Sequence, residues 1–248
     1  MAIVTLCDMI DECRRLLDDV STQIVPSSPT NLQLLEQAAE EGDESELLWK
    51  TPELKNYANE AVKEVALRTR CLIDNSGTAD FNEFDFVVNQ TDTPMLDHRI
   101  LVIKRVLWNG APLERQHRHR LDYSKREWWT DTIDAPTGFM MTHPRVITVY
   151  PKPTVIGTLK IECIRLPLVE MTASSDEPEI PLQWRKDAVS WMCHLAYQKN
   201  DADTKDAQQS DYYEGVFARR FGPAVNSKLQ QIEFFNEGAP IRAVAQYY

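Results

Sequence analysis

Apolar residues recur at helical spacing near the start of this chain. Leu6, Met9, Ile10, Cys13, Leu16, Leu17 and Val20 share one face, with Asp8, Asp11, Glu12, Arg14 and Arg15 on the other, which predicts a helix over 6–20. Pro26-Ser27-Ser28-Pro29-Thr30 and the acidic run Glu40-Glu41-Gly42-Asp43-Glu44 then mark residues 21–46 as a loop and acidic insertion, with room for a short helix over 31–41. Thr51-Pro52-Glu53 reads as a helix start: a hydroxyl cap, proline in the first turn and a carboxylate at the positive end. From there Leu54, Tyr57, Ala61, Val62, Val65, Thr69 and Leu72 trace one face up to Asp74-Asn75-Ser76-Gly77.

From about Phe84 the period changes from helix to strand. Ile100 to Trp108 is rich in Val, Ile and Leu, and Asn109-Gly110 suits a two-residue type I′ hairpin. Pro112, which has no N–H to donate, then favours a sheet edge for the returning strand. Further strands are predicted at 138–141, 146–150 and 155–165, separated by His143-Pro144 and Pro151-x-Pro153, so that an antiparallel meander forms a small sheet or sandwich. After a Ser- and acid-rich linker, Pro181 opens a helix through Trp184, Ala188, Trp191, Leu195 and Ala196. Asp201-Ala202-Asp203 breaks it, Asp serving as a cap for the next helix. A long helical region follows through Tyr213, Phe217, Phe221, Val225, Leu229, Ile232 and Phe235, interrupted at Gly222-Pro223. The fold class is therefore α+β: a helical bundle from both ends of the chain with an inserted antiparallel β-domain. Its divisions are 1–83 for the N-terminal helices, 84–170 for the strands, 171–237 for C-terminal helices packing on the N-terminal ones, and 238–248 for a tail.

A formal charge of −11 argues against a general DNA-binding protein, which needs a basic footprint; it suits a wall past which DNA slides and equally a protein that is merely soluble, the plainer reading of composition alone. Five widely spaced cysteines without a CxxC argue against a disulfide framework or zinc knuckle and for reduced thiols made in a cytoplasm. The N-terminus lacks a signal-peptide pattern, and no apolar run approaches membrane-spanning length.

Candidate chemistry is sparse. His117-x-His119 would share one face of a strand and, with His143 or an acid, suggests a metal site, against which Arg115, Arg118 and Arg120 set like charge. That same basic stretch, followed by Tyr123 and Trp128-Trp129, resembles a phosphate-contacting and stacking surface. The plainer reading, and the preferred one, is an arginine-rich loop pairing with acidic neighbours or an adjacent subunit. The carboxylate pairs Glu83/Asp85 and Asp201/Asp203 meet no further catalytic signature. GxSxG, HExxH and a phosphate-binding glycine loop are all missing from the sequence. Neither enzyme activity nor a cofactor is expected. The tail, with Ile241, Val244, Tyr247 and Tyr248, is more apolar than a solvated tail and is expected to order on a partner.

The order of motifs between Trp49 and Asn236 resembles the head-to-tail adaptor (connector) proteins of tailed bacteriophages. The helix Trp49-x-x-x-Glu53-Leu54-x-x-Tyr57-x-Asn59-Glu60-Ala61 comes first, then Asp97-His98-Arg99-Ile100 and Asn109-Gly110-Ala111-Pro112-Leu113. Leu121-Asp122-Tyr123, Trp128-Trp129, Ala135-Pro136-Thr137-Gly138-Phe139, Val149-Tyr150-Pro151-Lys152-Pro153 and Ile180-Pro181 follow. The resemblance implies a structural virion protein at the neck, with about a dozen copies in a ring beneath the portal, a heterologous contact that closes by rotation. The portal protein would bind the helical parts and the tail. A tail or nozzle protein would meet the β-domain, and DNA would pass without sequence-specific binding during genome ejection. Arg115, Arg118 and Arg120 become candidate DNA-channel or subunit contacts, and no membrane is involved. The alternatives are a lower neck or tail-tube component of the same virion and, from another class, a metal-dependent hydrolase using His117, His119 and an acid.

Overall fold

The computed structural model describes residues 3–19, 47–124, 127–143, 145–201 and 204–226. The expectations for 21–46, for the helix beyond 226 and for the tail at 238–248 lie outside these residues. The chain divides into two compact units, one formed by 1–72 and 167–224, the other by 73–166 and 225–248.

The first unit is helical, with α1 (Leu6–Leu17), α2 (Thr51–Thr69), α4 (Leu182–Gln198) and α5 (Ala207–Phe221). Its core combines Leu6, Met9, Ile10 and Cys13 of α1 with Leu54, Ala61, Val62 and Val65 of α2. Ala188, Val189, Met192 and Cys193 of α4 and Phe217 and Phe221 of α5 complete it. The α1 start is a capping box: Thr5 Oγ1 accepts the Asp8 N–H, and the Asp8 carboxylate accepts the Thr5 N–H. Asp18, with φ of 56°, ends the helix three residues short of the expected Val20–Ser21 boundary.

Thr51 is not the cap of α2. Lys50 holds that position, its N–H donating to the Glu53 carboxylate at 3.3 Å, and Thr51 begins the helix. The Thr51 hydroxyl instead accepts from Arg14 Nη2 at 3.0 Å. Arg14 is buried, and its Nη1 donates to Asp19 (3.0 Å) and to the Trp49 carbonyl (3.1 Å). Asp19, also buried, accepts the N–H groups of Leu48 and Trp49. The Trp49 indole donates to the Ala196 carbonyl at 3.0 Å and meets Tyr197 edge-on, so the entry to α2 is fixed to α4.

On α4 the inward face is Ala188, Val189, Met192, Cys193 and Ala196, leaving the expected Trp184, Trp191 and Leu195 only half-buried. Trp191 finds partners at its flank: its ring packs on Phe217 with centres 4.8 Å apart, and the Arg68 guanidinium lies over both rings at 4.9 and 4.8 Å. Asp206, rather than Asp201 or the undescribed Asp203, caps α5 by accepting from Gln208 and Gln209. Gly222, with φ of 89°, terminates α5 where Gly222-Pro223 predicted a break.

The second unit is built on β10 (Gly157–Arg165). The strand β3 (Ile100–Trp108) runs antiparallel along one side, and β1 (Ile73–Asp74) and β2 (Glu83–Phe86) share the other. Strand pairing thus begins at Ile73, where the sequence pattern suggested continued helix. The turn at Asn109-Gly110 has positive φ at both residues (45° and 85°), as type I′ requires. It sets β4 (Ala111–Pro112) as the short edge strand beside β3. Gly157 is required by close approach: a Cβ there would stand 2.3 Å from the Trp108 indole, which also packs edge-on against Phe86.

A second sheet pairs β7 (Gly138–His143) with β8 (Val146–Tyr150), and β5 (Glu114–Arg115) runs parallel to β7. The short strands β6 (Thr132–Ile133) and β9 (Lys152–Pro153) are also parallel. The antiparallel-rich arrangement is therefore split over separate sheets with two short parallel pairs, rather than one meander.

Removing the Asp19 carboxylate strands a buried guanidinium, so Asp19→Ala is expected to destabilise the helical unit by about 3 kcal/mol in urea unfolding; a loss below about 1 kcal/mol contradicts that role for the pair. In the β unit, burial raises the Asp74 carboxyl, but the Ser76 N–H and hydroxyl and Arg165 at 2.6 Å outweigh it and hold it at about 2. The Arg99 hydrogen bonds bring Asp97 to about 2 as well, against its burial. Unfolded carboxyls titrate near ~4, so this stabilisation is present above ~4 and fades as the pH falls towards 2. The urea midpoint should drop across that window, and less so in an Asp74→Asn, Asp97→Asn variant.

Candidate functional site

The arginine-rich stretch does not form the strand face that a His117–His119 site needs. Extended pairing ends at Arg115, and Arg118 opens the short helix α3 (Arg118–Ser124), so His117 precedes the helix and His119 lies within it. Both are exposed, and among the described residues no group of three or more His, Cys, Asp or Glu could hold a metal ion. The three arginines are also separated. Arg115 lies half-buried in β5, whereas Arg118 and Arg120 are exposed at i, i+2 on α3, spacing that turns them to different sides.

What the fold does assemble here is an aromatic cleft. Trp128, in a 3₁₀ turn (Trp128–Thr130), is buried against Leu121, Met140 and Tyr150. Its indole donates to Asp122 at 2.6 Å and meets Tyr150 edge-on, with ring centres 5.6 Å apart. Tyr150 in turn donates to Asp131 at 2.8 Å, and burial together with this bond raises its phenol pKa. Trp129 stands edge-on to Trp128 but is 58% exposed, and Tyr123 is 90% exposed. Arg118, Trp128, Trp129, Tyr150, Lys152, Thr91, Asp92 and the β8 residues Thr148 and Val149 enclose a cleft of about 430 Å³. Its two cations differ in engagement: Arg118 stands 3.9 Å from Asp122, while Lys152 makes no ion pair among the described residues. Asp92 is occupied by the Thr148 hydroxyl.

The sequence singled out Arg118, Trp128 and Trp129 but gave no reason to join them to Asp92, Thr148 or Lys152. Those come from a segment crossing beside β8, held by Thr93 N–H to Ile147 O and Val149 N–H to Thr91 O, and from the short β6–β9 pair. Lys152 was visible only as part of Tyr150-Pro151-Lys152-Pro153.

Elsewhere, groups able to carry chemistry are engaged in packing. Ser210 and His194 lie 3.0 Å apart, yet both are buried and the hydroxyl also reaches the His194 carbonyl, so the pair ties α4 to α5. Cys13 and Cys193 face each other at 3.8 Å in the helical core. That contact and burial push the Cys13 thiol well up, away from the reactive thiolate. Asp85 lies on β2 with Glu83 and accepts from Thr158 at 3.1 Å.

Charge is partitioned between the units. Residues 73–166 hold twelve acidic and twelve basic side chains, whereas 1–72 and 167–224 hold 24 acidic against 13 basic. The net charge of −11 therefore belongs to the sequence of the helical unit.

The family model for the SU10 adaptor protein matches residues 4–234 of the chain. The chain belongs to the SU10 adaptor protein family. This is a family of phage head-to-tail adaptors, so the protein is a structural component of a virion. No curated protein matches the sequence. The match runs through the helices and the strands alike, so the adaptor assignment covers both units and not one motif. Among the described residues no helix is long and apolar enough to cross a membrane.

Within this adaptor, Trp128 and Trp129 should separate structure from surface. Trp128→Ala removes a buried indole and is expected to cost about 3 kcal/mol of stability, while Trp129→Ala should change it by less than about 1 kcal/mol. Equal losses in thermal melts of the two variants contradict the assignment of Trp129 to a free wall of the cleft.

Proposed function

We propose that this adaptor assembles as a ring of about a dozen copies directly beneath the portal, joins capsid to tail and surrounds the path of the DNA. The observation that carries this reading is the family match across both units. The helical unit binds the portal together with the C-terminal segment holding Ile241, Val244, Tyr247 and Tyr248, and the β unit receives the next tail or nozzle protein. The charge partition supports passage of DNA without gripping it, because an acidic surface repels phosphates rather than binding them. Arg115, Arg118 and Arg120 are too dispersed to make a continuous basic track. Arg118 therefore serves a protein contact better than a DNA contact.

Sedimentation velocity of the chain alone and mixed with the portal protein of the same phage tests this. A slow species alone that joins a large portal complex is expected. A chain that ignores portal but joins the tail tube instead makes this a lower neck or tail component.

A further inference from the structure

We propose that the Trp128–Trp129 cleft is a socket for a second copy of this chain, taking Tyr212 and the adjacent Asp211 of its neighbour. The inference rests on the ring reading and adds to it the surfaces that would close the ring. Trp128, Trp129 and Tyr150 line the cleft together with two cations, Arg118 and Lys152. Trp129 is 58% exposed, more than a tryptophan in a settled core, and Lys152 has no ion pair among the described residues. Such a site selects a flat ring next to a carboxylate. Its volume of about 430 Å³ is ample for a phenol side chain.

The chain carries a matching projection. On α5, Tyr212 is 59% exposed and Asp211 beside it is also exposed, while the neighbouring Tyr213 is half-buried and stacks on Tyr197. Phenol on indole with Asp211 facing Lys152 joins aromatic packing to an opposite-charge contact. Socket and projection are different surfaces of one chain, so the contact is head-to-tail, the kind that builds a closed ring. Nucleic acid fits the cleft less well. A strand needs a run of phosphate contacts, and among the described residues the cleft is lined by two cations, with the carboxylates of Asp92 and Asp122 close to them.

Mixed ¹⁴N- and ¹⁵N-labelled protein, alone at high concentration and assembled on portal, would be coupled with a water-soluble carbodiimide and digested. The expected product is a Lys152–Asp211 linked peptide pair carrying one isotope on each side. Lys152→Asp should weaken self-association by about tenfold, and adding Asp211→Lys should restore it to within about threefold. If mixed-isotope assemblies form on portal without that link and the reversed pair gives no rescue, the socket is wrong and the ring stands. If no mixed-isotope assembly forms under either condition, both fail. Protection of Lys152 by an oligonucleotide, with no link between copies, assigns the cleft to nucleic acid and overturns the proposal.

Discussion

A guanidinium buried among helices must have its charge compensated from inside the fold, and the helical unit is organised by how Arg14 achieves this. It draws on Asp19 at the end of its own helix, the Trp49 carbonyl and the Thr51 hydroxyl, so one side chain binds chain on both sides of residues 20–46. Asp19 reinforces the junction by accepting from Leu48 and Trp49. Trp49 then passes the constraint to α4 through its bond to the Ala196 carbonyl. Helices contributed from before and after the strands therefore share one core, and the β unit can be an insertion without dividing that core.

The β unit solves a different problem, holding many short strands in register. The long β3–β10 pair supplies the frame, and the Asn109-Gly110 turn and the bare Cα of Gly157 beneath Trp108 fix how its edges fit. Short strands and the 3₁₀ turn then carry the aromatic cleft on this frame. A protein built for assembly needs such rigid, exposed features more than it needs a reactive group. Among the described residues, two pairs that carry nucleophilic side chains, Ser210–His194 and Cys13–Cys193, are enclosed in packing.

Local rules were legible in the sequence and long-range ones were not. Asn109-Gly110, Pro112, Pro181 and Gly222-Pro223 act through backbone φ or a missing N–H, and each lies where those constraints place it. The Thr51 cap was misread because the hydroxyl is claimed by Arg14, 37 positions away in sequence, a competition invisible to a local rule. The α4 face was legible in part: Ala188 and Ala196 are buried as expected and Trp184 and Trp191 pack against the core from its flank, but the closest packing also runs through Val189, Met192 and Cys193. Two-residue parallel strands such as β5 and β6 have no periodicity to read. For the cleft, Trp128, Trp129 and Arg118 stood out by composition, but Asp92, Thr148 and Lys152 join them only through tertiary pairing.

The adaptor reading places an acidic helical unit and a charge-balanced β unit in one subunit, a division of labour suited to a joint that holds proteins together while DNA passes. Electron cryomicroscopy of the intact phage neck tests this most directly. The account predicts a ring of density directly below the portal into which both units of this chain fit, repeated around the channel axis. Density for the chain only in the tail tube, or its absence from the mature virion, contradicts it.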